Sequence, residues 1–494
     1  MKKIILYNPQ SSSNKKPIMP LSLLAVGAML EDTYDYEIID GNLEADALTR
    51  LDAEISACGT PPIVAVTVMP GPQLQQSVPL CRELKRRHPQ MTMIWGGYFP
   101  TQHWDSCLRS DFVDVVIRGH GEVVFRQVLD ALTTGQPQLK DIAGVAYCDE
   151  NGEPVTTMEA PIPNPAKLPL MNFDRVPVER YVRPTFMGSR TLGYHSSYGC
   201  PFFCNFCAVV NMVNGRWLPQ TAEQVAHVVE TYNRRWGVNA VEFFDNNFFT
   251  HHNRVAEFSE RIMPLGISWW GEGRIDTMLK FSTRTWQLMR DSGLRMVFLG
   301  AESGSMETLK RMDKGGKMSP EKTLEMARMM KEWDIVPEFS FVMGNPPDPE
   351  TDMHETMEFI RQVKQVNPAS EIIMYLYSPV PLSGELYEQA KADGFAFPET
   401  LEEWISPEWL NFSQRRSHTM PWIKQTLQQQ ILDFERVLNA YYPTTTDIKL
   451  TQNWRNILRV ASAARYHMRF YRFPIELRAL HRMVAYQRPE TSGF

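Results

Sequence analysis

Twice along the chain, short apolar runs alternate with amphipathic helical patterns, and a proline-rich stretch separates the two series. In the first series Ile4 to Tyr7, Tyr36 to Ile39, Ile63 to Val68, Met91 to Trp95 and Val113 to Ile117 read as strands. Helix patterns lie between them, such as Leu21, Leu24, Val26 and Leu30, and then Leu48 and Ile55. Strands spaced this way need crossover connections, so the pattern predicts a Rossmann-like, doubly wound parallel sheet. Ligands of such sheets bind beyond the strand C-termini, where glycine permits close backbone approach. Those ends carry Asp40-Gly41-Asn42, Met69-Pro70-Gly71, Gly96-Gly97 and Gly119-His120-Gly121-Glu122, which together predict a binding crevice on one rim.

Prolines 154, 161, 163, 165, 169, 177 and 184 then rule out long helices and central strands, so residues 141–185 read as a linker packed over the surface. Alternation resumes beyond it. Thr221 to Gln224 has the form of a capping box, followed by a buried stripe at Val225, Val228, Val229 and Tyr232. Strands are expected at Val241 to Phe244, Met296 to Leu299, Phe339 to Met343 and Ile372 to Tyr377, with a helix opened by Ser319 as N-cap and Pro320 at its first position. Five or six such repeats predict a complete or partial TIM-type βα barrel over 186–395, with chemistry at its strand C-termini. The expected class is thus α/β: a Rossmann-like domain over 1–140, the linker, the barrel, and a helical, aromatic-rich C-terminal region over 396–494. There Trp404, Trp409, Met420 and Trp422 read as core or as an apolar pocket.

With 494 residues, 43% hydrophobic and 22% charged, the chain falls outside the disordered and disulfide-scaffold classes. No apolar run approaches the roughly 18 residues of a membrane span. Only Ile4 to Tyr7 follow Met1-Lys2-Lys3 before Asn8-Pro9, too little for a signal-peptide core, so a cytoplasmic protein is expected. Charge is uneven: from Lys449 onward nine Lys or Arg face two Glu, with Trp454, Tyr466, Phe470, Tyr471 and Phe473 interleaved. That tail reads first as a solvated helix face on an acidic body, and second as a surface for weak contact with anionic lipid, which would make the protein membrane-peripheral. Nucleic acid is not an expected partner.

Four of the seven cysteines, Cys58, Cys81, Cys107 and Cys148, are scattered and read as small buried hydrophobes. The other three form Cys200-x-x-x-Cys204-x-x-Cys207. A structural zinc with His195 as fourth ligand is one reading, although such sites normally pair two CxxC knuckles. Three irons of a 4Fe-4S cluster, with the fourth iron left without a protein ligand, is the other.

With Phe206 before the last cysteine, this motif resembles the signature of the radical S-adenosylmethionine (SAM) superfamily. The resemblance implies that SAM chelates the open iron and is cleaved reductively to a 5′-deoxyadenosyl radical. It also implies further cofactor contacts: Asp245 and Asn246 within Phe243-Phe244-Asp245-Asn246-Asn247, Arg274 within Gly271 to Asp276, Glu302 and Ser303 within Leu299 to Ser305, and Gly344 in the turn Phe341 to Pro346. A Rossmann-like domain with a Trp95-Gly96-Gly97 turn and a Val116 to Glu122 turn, placed before such a barrel, resembles the cobalamin-binding branch of the superfamily. Met69, Pro70, Gly71, Gly96, Gly97, Gly119 and Glu122 would then face cobalamin, with the Met69-Pro70-Gly71 loop under the corrin. The DxHxxG motif of many cobalamin domains is absent and the loop Pro9 to Pro20 has no histidine, which leaves two options: a corrin bound without a lower histidine ligand, which is the expectation, or a domain that has lost cobalamin.

The function this implies is methylation of an unactivated carbon of a small molecule. One SAM would methylate cob(I)alamin, a second would give the substrate radical, and methylcobalamin would deliver the methyl group. The alternative keeps the cofactors without methyl transfer, as in ring closure, ring contraction or oxidation by anaerobic porphyrin cyclases. A low-potential electron donor, a flavodoxin or ferredoxin, is implied by the cluster. The catalytic acid or base is not identifiable in the sequence.

Overall fold

The computed structural model describes residues 3–11, 17–312, 317–381, 384–413 and 420–484; residues 12–16 of the loop Pro9 to Pro20 and the last ten residues of the basic tail lie outside them. In the first sheet β1 (Ile4–Asn8), β2 (Tyr36–Asp40), β3 (Ile63–Thr67), β4 (Thr92–Gly96) and β5 (Val115–Ile117) are parallel in the order β2-β1-β3-β4-β5. Every residue of β1 is buried, as helices on both faces require. The strand order reverses between β1 and β3, which places the ligand crevice of such a sheet at their C-terminal ends.

The sheet does not end at residue 140. Beyond β5 it gains an antiparallel hairpin, β6 (Val145–Cys148) and β7 (Pro154–Thr156), so the expected linker begins inside the sheet. Pro154 is accommodated because β7 is an edge strand. The remaining proline-rich chain winds through three 3-10 turns, Pro165–Lys167, Phe173–Arg175 and Val178–Arg180, and inserts Phe173, Val176, Val178 and Tyr181 into the core of the second sheet. The connector is thus a packed part of the barrel wall.

A two-stranded clasp, β9 (Ser197–Gly199) with β10 (Trp217–Pro219), follows β8 (Thr191–Tyr194). β8, β11 (Ala240–Phe243), β12 (Ser268–Gly273), β13 (Leu294–Glu302), β14 (Val336–Met343) and β15 (Glu371–Leu376) form one all-parallel sheet in chain order, a partial barrel. The capping box of Thr221 and Gln224 opens the helix Ala222–Trp236, whose Val225, Val228, Val229 and Tyr232 are buried. Ser319 and Pro320 open the helix Pro320–Glu332. Trp269 is the centre of the aromatic core, with Phe243, Phe248, Phe249 and Phe258 around it.

C-terminal helices close over both units. Trp404 packs with the core of the first sheet and Met420 is buried, so these residues are core, while Trp422 donates its indole N–H to the Gly344 carbonyl at 3.1 Å. Of the scattered cysteines, Cys81 and Cys107 are buried; Cys58 is half-buried and Cys148 exposed, because β6 lies near the sheet edge. Among the described residues no helix is long and apolar enough to cross a membrane.

His103 sits where the first sheet meets those C-terminal helices, its ring 4.6 Å from Trp404, 5.1 Å from Phe99 and 5.3 Å from Phe397. Burial lowers its pKa to about 4. The folded chain therefore keeps His103 neutral where the unfolded chain, with a histidine pKa near about 6.5, takes up a proton. Stability should fall as pH drops from about 6.5 towards 4, and this contribution should be absent above that window. Denaturant midpoints measured between pH 4 and 7 are expected to fall less steeply for His103→Phe than for the parent chain.

Candidate functional site

The cysteine loop leaves the barrel immediately after β8 and β9, and the backbone there permits only glycine at one position. Gly199 has φ +82°, and a Cβ on it would lie 2.3 Å from the Arg216 carbonyl across the clasp. Beneath the clasp Asp245, at the end of β11, is fully buried. It accepts hydrogen bonds from the Ser196 N–H at 3.0 Å, from the Ser196 hydroxyl at 2.8 Å and from the Ser197 hydroxyl. Arg254 donates to the Ser196 hydroxyl at 2.6 Å and to the Gln220 carbonyl at 2.9 Å, which completes a buried charged network. Both carboxylate oxygens of Asp245 are therefore engaged in holding the entry to the cysteine loop. Its place in this network is a positioning one.

Among the described residues, side-chain N–H donors reach the sulfurs of Cys204 and Cys200. Arg274 lies 3.2 Å from Cys204 Sγ, fixed by a bidentate pair with Asp276 at 3.0 Å on each arm and stacked 3.7 Å over the Phe202 ring. The Asn247 amide lies 3.8 Å from Cys200 Sγ, and its Oδ1 is buried without a partner among the described residues. Asn246, the neighbour named from the sequence, is exposed. The loop's far side is tied by Asn205, which donates to the Arg311 carbonyl at 2.5 Å. Phe206 packs against Met312, Val342, Tyr377 and Leu386. His195 lies against Tyr198, and no three His, Cys, Asp or Glu among the described residues converge on a single metal ion, which is what a zinc site needs.

Further along the barrel rim, β13 is irregular between Gly300 and Glu302, and Glu302 is buried with φ +68°. The Ser303 hydroxyl bonds Asp352 and Thr356, each at 3.1 Å, and accepts from the Ser305 N–H, so it is built into a buried network below the rim. Gly344, at φ +74°, faces Ile423 and Leu427 of the C-terminal region.

On the opposite side, the rim of the first sheet meets the cysteine loop directly. The Tyr198 hydroxyl donates to Glu122 at 2.5 Å, and the His120 ring stacks on Tyr198 at 4.4 Å. Burial, then the nearby Glu122 charge, push the Tyr198 phenol well up, so it remains a donor. Glu122 keeps one buried carboxylate oxygen without a partner among the described residues. Gly119, at φ +81°, lines a cavity of about 880 Å³ between the two units, together with Gln102, Arg118, Phe203, Asn205 and Arg311. The rest of the rim is ordered by buried amides. Gln73 donates to Asn8 at 3.0 Å and accepts from the Met69 N–H, while Asn8 and Tyr181 donate to Asp40 at 2.9 and 2.8 Å. Met69 is half exposed beside Pro70, Gly71 adopts φ +84° facing Ser413, and Gly97, following Gly96, adopts φ +100° against the Val68 backbone.

Comparison with known sequences places this geometry. The sequence model of the Radical SAM superfamily matches residues 194–360, and that of the B12 binding domain matches residues 13–129. The chain belongs to the cobalamin-binding radical SAM enzymes. An uncharacterized methyltransferase of Pyrococcus horikoshii is 28% identical over 73% of this chain and 78% of its own. The anaerobic magnesium-protoporphyrin IX monomethyl ester cyclase of Synechocystis is 25% identical over 74% and 72%. The fold matches the radical SAM methyltransferase TsrM from Kitasatospora setae, solved with cobalamin and a [4Fe-4S] cluster, at TM-score 0.63, 17% identity, 80% of this chain and 78% of that one. It matches the cobalamin-dependent radical SAM enzyme OxsB, with aqua-cobalamin and SAM bound, at TM-score 0.67, 16% identity, 98% and 75%.

Membership of this radical SAM family implies a 4Fe-4S cluster, SAM, cobalamin, a small-molecule substrate and an electron donor. The residues present fit a cluster: N–H donors are aimed at two sulfurs, as thiolate ligands favour. Residues that the sequence did not single out are Ser196, Ser197, Arg254, Asn205, Asn247 and Tyr198. They are ordinary residue types whose significance comes from long-range contacts. Asp245→Asn turns an amide donor towards donors and should cost about 2 kcal/mol of barrel stability. Iron bound per chain after anaerobic reconstitution should fall, while hydroxocobalamin affinity, read by absorption, should stay unchanged.

Proposed function

We propose that this enzyme methylates an unactivated carbon of a small organic molecule. The carrying observation is the direct junction of the cysteine loop with the first sheet's rim, through Tyr198 and Glu122 beside a cavity shared by both units. In this reading the sheet carries the cobalamin module, 1–140 extended by its hairpin to Thr156, the barrel over 186–395 carries the radical chemistry, and 396–494 covers both. Cys200, Cys204 and Cys207 hold the cluster. Arg274 steadies Cys204, and with Phe206, Glu302, Ser303 and Gly344 shapes the SAM pocket. Asn247 takes the role that the sequence assigned to Asn246, and Asp245 positions the loop. Met69, Pro70, Gly71, Gly96, Gly97, Gly119 and Glu122 form the corrin bed, with no histidine below the metal. When bound, SAM on the reduced cluster supplies a carbon-centred radical and the corrin supplies the methyl group. The chain's own part is to hold both at one cavity, to place N–H donors on the cluster sulfurs, and to exclude water behind the clasp and the C-terminal helices. A flavodoxin or ferredoxin is the proposed electron source.

The relationship to a ring-forming cyclase supports a second reading, the same cofactors without methyl transfer. Turnover decides between them. Anaerobic incubation of reduced, reconstituted protein with hydroxocobalamin and methyl-deuterated SAM should yield S-adenosylhomocysteine and a deuterium-labelled corrinoid by mass spectrometry. Formation of 5′-deoxyadenosine without S-adenosylhomocysteine would favour the cyclase reading. Cys204→Ala should abolish 5′-deoxyadenosine, and a variant that still forms it would overturn the radical SAM assignment of this loop.

A further inference from the structure

At the end of the chain, two helices, Gln452–His467 and Ile475–Met483, are joined by a turn that displays its apolar side chains. Met468, Phe470, Phe473 and Ile475 are 70%, 53%, 65% and 70% exposed, and Ile457, Val460 and Met483 extend the exposed apolar surface along the helices. Isolated surface hydrophobics need no explanation, but a concentrated set marks an interaction surface. This one is built into a braced turn. Arg465 donates to the carbonyls of Arg472 at 2.9 Å and Phe473 at 3.2 Å, and pairs with Glu476. The Phe473 N–H donates to Asp433 at 3.0 Å, and Arg478 holds the other oxygen of that carboxylate at 2.9 Å. Arg469 and Phe473 adopt φ of +57° and +50°, conformations that non-glycine residues hold only when their surroundings impose them.

The charge around the turn selects the partner. Between Lys449 and Met483 there are eight Lys or Arg and only Glu476. Arg459, Arg472 and Arg482 are exposed, and no carboxylate pairs with them among the described residues. The aromatics that the sequence brought forward divide. Tyr466 is buried, its ring under Arg361, and Trp454 and Tyr471 are half-buried, whereas Phe470 and Phe473 face solvent. Because the apolar side chains protrude from a tight turn between helices, the complementary partner is a deformable apolar medium carrying negative charge. We propose that this turn docks the protein on an anionic phospholipid surface, with Met468, Phe470, Phe473 and Ile475 entering the headgroup boundary and the exposed arginines meeting phosphates.

Flotation of the full chain with phosphatidylcholine vesicles, and with vesicles also containing phosphatidylglycerol, tests this. The protein should float with the anionic vesicles only and be released by high salt. Met468→Ser/Phe470→Ser/Ile475→Ser and Arg459→Glu/Arg472→Glu/Arg482→Glu should each lower the bound fraction at least about tenfold, with unchanged far-UV circular dichroism and iron content. The proposal is overturned if the parent stays unbound at low salt, or if both variants float like the parent. It is also overturned if the apolar variant instead abolishes a dimer seen by sedimentation, which would assign the turn to a second copy of this chain. None of these outcomes depends on the methylation reading.

Discussion

A single buried carboxylate fixes the path of the chain into its reactive loop. Asp245 accepts from one backbone N–H and two hydroxyls of consecutive residues, so it defines both the position and the orientation of Ser196 and Ser197. A side chain bonded in this way has little freedom, because moving it leaves donors unpaired in a medium that solvates them poorly. Arg254, buried alongside, supplies compensating charge through Ser196 and is itself tied to the Gln220 carbonyl and sandwiched by Trp217 and Phe248. Three successive strand ends, β8, β11 and the clasp, are thereby locked before the first cysteine is reached. The same β11 terminus then places Asn247 against Cys200, so one turn both anchors the loop and meets its first sulfur.

The two α/β units are coupled at that loop by chemistry as well as by packing. Tyr198 lies two residues before Cys200 and donates a hydrogen bond to Glu122, the first-turn carboxylate of a helix beginning at the rim of the first sheet. Its phenol stays protonated because burial and the Glu122 charge both oppose ionisation. Any shift of the rim against the barrel would break a buried hydrogen bond to a charged group. A cavity bounded by both units can keep a fixed shape only under such a constraint.

Most of the architecture was legible because it depends on periodicity. The five parallel strands of the first sheet, four of the six strands of the second, the capping box at Thr221 and the Ser319-Pro320 helix start follow from local pattern, and the structure contains each of them; β8 and β12 were not legible in the pattern. The hairpin of β6 and β7 was not legible, because Pro154 reads as a strand breaker and only its position on a sheet edge makes it acceptable. At the site, the three cysteines were legible as chemistry-bearing types at a telling spacing, and Arg274, named through the family resemblance, lies 3.2 Å from Cys204 Sγ. Asn246, named through the resemblance, is exposed, while the buried Asn247 beside it reaches Cys200; adjacent residues after a strand point in different directions, and sequence does not say which faces inward. Asp245 was legible as important, but its role as a positioning group rests on Ser196 and Ser197, almost fifty residues away in sequence.

Glu302 shows how local irregularity supplies what pattern alone does not. A regular β13 would alternate its side chains between the two faces of the sheet, and the run to Leu299 follows the register with β14. Between Gly300 and Glu302 that register shifts, and Glu302 adopts a left-handed backbone conformation at a cost of about 1–3 kcal/mol for a non-glycine residue. A bulge of this kind turns a side chain away from the face its number would assign. The neighbouring Ser303, Asp352, Thr356 and Asn345 form a buried hydrogen-bonded network that holds the strained segment in place. The fold therefore builds a buried network behind a carboxylate at the C-terminal rim of the barrel, the rim from which the cysteine loop also departs, and a strained backbone of this kind persists only where its surroundings over-determine it.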